Sequence, residues 1–173
     1  AAMLAAIALA NSAEEPDSLN TIEQLVDFVQ QHGYTGVFVG DRAELEDVRT
    51  IRPDLRRLLT SSRDKAVELV NEMLKTAGAI PQLVRHGTMD WHLHAVDDYR
   101  PLSTRIAVET ALAMIVLIRA DELSRLAVRA RPKCKGLVLY LSRNRPRRCC
   151  STTRSHQAAA AEYLACAQGG GAC

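Results

Sequence analysis

Between Leu123 and Ala161 the chain carries ten basic side chains (Arg125, Arg129, Arg131, Lys133, Lys135, Arg143, Arg145, Arg147, Arg148 and Arg154) and no acidic one. Residues 1–122 are the reverse, with 12 Lys/Arg against 19 Asp/Glu and a net charge of −7. An overall charge of +2 therefore hides an acidic body joined to a cationic C-terminal module. The division predicts a body over 1–126, a module over 127–168 and a flexible glycine-rich tail over 169–173. It also predicts an electrostatic partner for the cationic end, most simply a nucleic-acid backbone.

The body has enough apolar content for a core, but at 4% aromatic residues that core must be built from Ala, Leu, Val and Ile. This composition favours helix. Start and stop signals mark a series of short helices. Asn20 with Glu23 has the capping-box pattern ahead of Ile22, Leu25, Val26 and Val29, and Gly33 closes that helix. Asp41 with Glu44 repeats the signal before Leu45 and Val48, and Pro53 interrupts ahead of Leu55, Leu58 and Leu59. Ser61 with Asp64 opens an amphipathic helix carrying Ala66, Val67, Leu69, Val70, Met73 and Leu74, stopped by Gly78 and Pro81. Two short extended runs on either side of Gly87, Leu83–His86 and Asp90–Val96, read as a β-hairpin. A long helix then begins at Pro101 and Ser103, runs to about Ala120, and gains another turn or two over Asp121–Leu126.

No apolar run reaches the roughly 20 residues that span a bilayer. The longest, Ile106 to Ile118, is broken by Glu109 and Thr110 and reads as a helix wholly inside the body or serving a dimer seam. Ala1–Ala10 has the apolar character of a signal peptide without its basic start, so it reads as a core helix. The absence of an initiating Met reads as a truncated or processed start. All five cysteines (Cys134, Cys149, Cys150, Cys166 and Cys173) fall in the last forty residues. An odd count at one end suits a cytoplasmic protein with a metal-type module better than a secreted disulfide framework.

In that module Gly136–Leu141 is strand-like, Ser142–Arg148 is a basic turn, and Ser155–Gln168 is an alanine-rich helix. The run Cys134–Lys135–Gly136 through Ser142–Arg143–Asn144–Arg145 to Cys149–Cys150 resembles the core of the CGNR zinc finger. That finger follows the ABATE domain in bacterial stress-induced transcription regulators. The body resembles the same family at Ala8–Ser12, Asp90–Ala95 and Ile118–Leu126. The resemblance implies a finger with four cysteine ligands. On that pattern Cys134 takes the second position and Cys150 the third, with fifteen residues between. The first and fourth positions are occupied by Arg129 and Arg154, and the signature is replaced by Arg154–Ser155–His156–Gln157. Structural zinc needs four soft or borderline donors in a tetrahedron. Two thiolates facing two guanidiniums give half a site, with Cys149, His156 and Cys166 the only nearby substitutes. The expectation is a degenerate finger without zinc. Such a module lacks a metal's contribution to folding and must either pack on the body, through Leu137, Val138, Leu139 and Tyr140 or the Ala158–Ala161 face with Tyr163 and Leu164, or be partly disordered.

The candidate nucleic-acid contacts are Lys133, Lys135, Arg143, Asn144, Arg145, Arg147 and Arg148. Forked guanidiniums suit phosphate oxygens, and each contact releases counterions. The competing reading pairs these arginines with the body's own Glu44, Glu46 and Asp47. Around the hairpin, His86, Trp91, His92 and His94 form a candidate ligand pocket, with Asp90, Asp97 and Asp98 as orienting partners. His92 and His94 fall on one strand face. The competing reading there is a set of hydrogen-bonded hairpin histidines.

The expected architecture is mainly α, a helical body with a small β-hairpin followed by a short zinc-finger-like module. The leading function is a DNA-binding transcription regulator whose body senses a small-molecule effector or forms a homodimer. The runner-up is a protein- or RNA-interaction protein that has lost zinc and specific DNA binding. A metal-dependent enzyme at the hairpin histidines comes last. No phosphate loop or nucleophile elbow is present, so the chain is expected not to be an enzyme, and not to bind a membrane.

Overall fold

The computed structural model describes residues 2–85, 92–128 and 135–140. Helix α1 (Ala2–Asn11) is apolar on nearly every side, with Met3, Ala5, Ala6, Ile7, Leu9 and Ala10 all buried. A helix with no polar face must lie at the centre. It packs against α4 (Arg52–Leu59), α6 (Leu102–Arg119) and β4 (Leu137–Leu139). Around it stand α2 (Ile22–His32), α3 (Arg42–Thr50) and α5 (Arg63–Ala77), and α5 makes its largest contact with α6. Leu25, Leu45, Val48, Leu55, Leu58 and Ile106 are essentially inaccessible, so the aliphatic core is as expected. Among the described residues, no helix is long and apolar enough to cross a membrane.

The caps depart from the sequence pattern in two places, each for a local reason. The capping box of α2 is Thr21 with Gln24 rather than Asn20 with Glu23. Thr21 Oγ1 accepts from Gln24 N at 3.3 Å, and Gln24 Oε1 accepts from Thr21 N at 3.1 Å. Asn20 instead donates its side-chain amide to Asp17 O. At α5 the N-cap is Ser62, because the Ser61 hydroxyl donates back to Arg57 O at the end of α4. The Asp41 cap on α3 holds as expected, accepting from Glu44 N at 2.8 Å. The Glu44 carboxylate also accepts from the backbone N–H groups of Val39 and Gly40. Gly33 and Gly78 end their helices in the left-handed conformation. Val67, expected on the apolar face of α5, is 39% exposed.

Two antiparallel strand pairs complete the fold. β1 (Gln82–Val84) and β2 (His92–His94) pair with Val84 opposite His92 and Gln82 opposite His94, the predicted hairpin. The second pair was not legible in the sequence. Asp121 turns the chain with φ 56°, Leu123–Arg125 forms a single 3₁₀ turn, and Leu126–Val128 becomes β3 rather than more helix. β3 pairs with β4, Leu126 opposite Leu139, and Tyr140 N donates to Arg125 O. The boundary drawn at 126/127 thus falls inside β3. Helix α6 also needs correction. Its first half is buried, but Val116 is 66% exposed, so it is not wholly interior.

β4 is built into the body. Leu137 is 1% exposed and belongs to the core cluster, and Leu139 packs on that cluster. The expectation that this run leans on the body is met. The Asn11 side chain at the end of α1 behaves as a strand edge: its Oδ1 accepts from Leu137 N at 2.7 Å and its Nδ2 donates to Leu137 O at 2.9 Å. The Arg56 Nη2 group donates to Lys135 O at 2.8 Å just upstream.

Asn11→Ala should destabilise the body by about 2 kcal/mol, because it strands the part-buried backbone N–H and C=O of Leu137. Asn11→Asp should also destabilise, since it keeps the acceptor but loses the donor. Urea unfolding of the three proteins checks both. An unchanged midpoint for Asn11→Ala would show that β4 is held by Leu137 packing alone.

Candidate functional site

The predicted pocket residues are only partly placed. His86 and Trp91 lie outside the described residues, and for His92 only the backbone is described. His94 lines an open cleft of about 350 Å³ with Gln82, Val84, Asp97, Asp98 and Arg100. Strand alternation directs Gln82, Val84 and His94 into this cleft, while the cross-strand pair Leu83 and Leu93 is 68% and 45% exposed on the other face. His94 Nδ1 lies 3.7 Å from Asp98 Oδ1, beyond hydrogen-bond distance; of the three acids expected as orienting partners, Asp97 and Asp98 line the same cleft and Asp90 lies outside the described residues. Behind His94 a cavity of about 20 Å³, lined also by Thr35, Arg105 and Glu109, has the size of a single water.

Two residues that shape this region carried no sequence signal. Arg105 is 5% exposed, and its guanidinium donates to the carbonyls of Arg100, Thr35 and Val37. It ties the loop after α2 to the segment leading into α6. Val37 N also donates to Asp98 O at 2.9 Å. Gly36 sits at this crossing with φ +90°, and a Cβ there would lie 2.7 Å from both Asp98 O and Arg105 Nη1. Only glycine satisfies both demands. Tyr34 stacks on Phe28 with ring centroids 5.9 Å apart. Its buried hydroxyl makes no hydrogen bond among the described residues. Burial first, and then the charge of Glu109, pushes its ionisation well above the ordinary tyrosine range.

A second polar constellation links the body to the C-terminal segment. Asp17, in the loop after α1, receives Arg52 Nη1 and Nη2 at 3.0 and 3.1 Å, and Arg49 Nη2 at 3.4 Å. Arg52 is only 8% exposed and also reaches Ser12 Oγ. Arg56 pairs with Glu14 at 2.9 Å while holding Lys135 O. Burial alone would raise the Asp17 carboxyl. The hydrogen bonds from Arg52 and Leu19 N, together with the charges of Arg52 and Arg49, outweigh it and leave the group below its ordinary value of 3.8.

A lowered folded-state value means that Asp17 stabilises the fold at neutral pH, and that this contribution is lost as pH falls from about 4 through the folded value. Asp17→Asn should therefore lose about 3 kcal/mol at pH 7, with Arg52 left buried and unpaired. The gap to the parent protein should narrow in acid. Urea unfolding at pH 7 and pH 3 measures this, and a gap that widens in acid would contradict the pairing.

Of the predicted nucleic-acid contacts, only Lys135 is described, and it is exposed. Lys133, Arg143, Asn144, Arg145, Arg147 and Arg148 lie outside the described residues. So do Cys134 and Cys150, and the Arg129 and Arg154 that replace the other two ligands. The described end of the basic stretch, Arg125, pairs with Glu122. The body carboxylates suggested as partners for the basic turn have other engagements. Glu44 accepts from the backbone N–H groups of Val39 and Gly40, Glu46 pairs with Arg42 and Arg49, and Asp47 accepts from Ser103 Oγ. Among the described residues, no group of three or more His, Cys, Asp or Glu side chains is arranged to hold a metal ion.

No curated protein matches the chain. The family model for ABATE, described as a putative stress-induced transcription regulator, matches residues 5–131, from α1 through β3. That span covers the helical core, the hairpin cleft and both arginine clusters, and on it the chain belongs to the ABATE family.

Proposed function

We propose that the chain is a DNA-binding transcription regulator acting in the cytoplasm. Its cationic C-terminal segment contacts the phosphate backbone through Lys133, Lys135, Arg143, Arg145, Arg147 and Arg148, with Asn144 beside them. The body senses a small effector in the cleft beside His94, or forms a homodimer. The observation that carries this reading is the seating of β4. The strand that leads into the basic segment shares the body's core through Leu137 and is held by Asn11 and Arg56. The cationic segment therefore starts from a fixed point on the effector-sensing unit. Glu44, Glu46 and Asp47 each have a partner within the described body. Family membership supports a regulatory role at a coarse level.

On the resemblance to the finger, Arg129 and Arg154 stand at two of the four ligand positions, where a guanidinium repels a dication, so in this reading the module holds no zinc unless Cys149, His156 or Cys166 substitutes. No step of the proposed function passes through a metal. In the same reading the chain is not an enzyme.

Duplex DNA should bind with an affinity that falls about a hundredfold or more between 50 and 200 mM salt, as several phosphate contacts require. Arg143→Ala, Arg145→Ala and Arg148→Ala combined should remove most of that binding and flatten the salt slope. Fluorescence anisotropy on labelled duplex measures both. No binding to duplex, with capture of an acidic partner, would point instead to the runner-up, a protein- or RNA-interaction role. Stoichiometric zinc in the purified protein would overturn the degenerate-finger reading.

A further inference from the structure

A second concavity lies on the other side of Arg100 from the hairpin cleft, between α4, α5 and α6, with a volume of about 310 Å³. Its lining divides by chemistry. Ile51, Leu69, Met73 and Ala107 give an apolar floor, and Leu69 is 5% exposed. Arg57 and Asp54 pair with each other at 3.3 Å on the α4 wall and so neutralise one another. Arg100 is exposed, and among the described residues its guanidinium makes one hydrogen bond, from Nη2 to Ala77 O at 3.2 Å, so most of its donor fork is uncommitted. Thr104 and Ser103 lie beside it in the first turn of α6, which holds no acidic residue. Glu72 is the one acid on the α5 wall.

We infer that this groove binds a small apolar monocarboxylate, with its hydrocarbon body on Ile51, Leu69, Met73 and Ala107 and its carboxylate on Arg100. The volume suits a ligand of about ten non-hydrogen atoms. The planar donor fork of Arg100 matches a carboxylate in two parallel hydrogen bonds. Glu72 sets the charge count: a second anionic group on the ligand would face it and be repelled. An amine finds Glu72 only at the exposed rim and meets Arg100 at the other end. The groove adjoins the cleft beside His94 at Arg100 and Ala77 but has its own apolar floor, and it does not depend on DNA binding. Its α4 wall belongs to the helix that holds Asp17, Glu14 and Lys135 O through Arg52 and Arg56, so the ligand would touch the element that grips the C-terminal strand.

The full chain should be titrated with three isosteric probes: 3-phenylpropionate, 3-phenylpropan-1-ol and 3-phenylpropylamine. Methyl resonances of Ile51, Leu69 and Met73 report the groove, and those of Val84 report the hairpin cleft. The carboxylate should bind at least tenfold more tightly than the alcohol or the amine, with shifts at the groove methyls and none at Val84. Arg100→Gln should weaken it about tenfold and bring it level with the alcohol. Because Arg100 also braces Ala77, Ala107→Leu serves as an independent variant. It fills the floor and should abolish binding with an unchanged circular dichroism spectrum. Equal affinity for the three probes, no saturable carboxylate binding, shifts confined to Val84, or undiminished binding by Ala107→Leu would each overturn the assignment.

Discussion

The paired hydrogen bonds between the Asn11 side chain and the backbone N–H and C=O of Leu137 join the two ends of the described chain, 126 residues apart in sequence. A short two-stranded sheet is marginal by itself in water. β3 and β4 acquire stability because Leu137 enters the aliphatic core and Asn11 supplies the edge hydrogen bonds that a third strand would otherwise make. A side-chain amide is the one neutral group that presents a donor and an acceptor side by side in this way. Helix α1 is thereby both the centre of the bundle and the anchor for the C-terminal strand.

Charge follows the same logic. The acidic body does not present an undifferentiated negative surface. Glu14, Asp17, Glu46 and Asp47 are each paired or hydrogen-bonded within it, chiefly to arginines of α3 and α4. A buried arginine such as Arg52 is tolerable only with its donors filled, and Asp17 with Ser12 fills them. Arg105 is satisfied differently, by three backbone carbonyls, and it fixes a loop rather than a charge balance. The two arginines divide the body between them. Arg52 secures the side that meets the C-terminal strand, and Arg105 secures the side that carries the hairpin cleft. The two clefts meet at Arg100 and Ala77, so the segment leading into α6 borders both.

Much of this fold could be read from the chain. Helix positions, the central role of the apolar first helix, the first hairpin and the strand at Leu137 all follow from periodicity and from cap residues, which act within a few positions of themselves. Cap registers slipped by one residue where a neighbouring donor had another use, as with Ser61 and Asn20. Among the candidate site residues, the nearness of His94 to Asp98 was legible only as closeness in sequence, since the acids at 97 and 98 flank the strand. Arg52, Arg105 and Gly36 were not, since their meaning lies in partners 35 to 70 positions away.

The sequence by itself determined what each segment is: aliphatic helices and a cationic C-terminal stretch that no acid interrupts. Composition, local spacing and net charge are properties of the chain before it folds. Only the tertiary structure decided that Leu126–Val128 is a strand, that β4 belongs to the body's core and that Arg100 stands between two clefts. Each of these depends on a hydrogen bond or a packed surface supplied from a distant part of the chain, and no local pattern encodes the identity of that supplier.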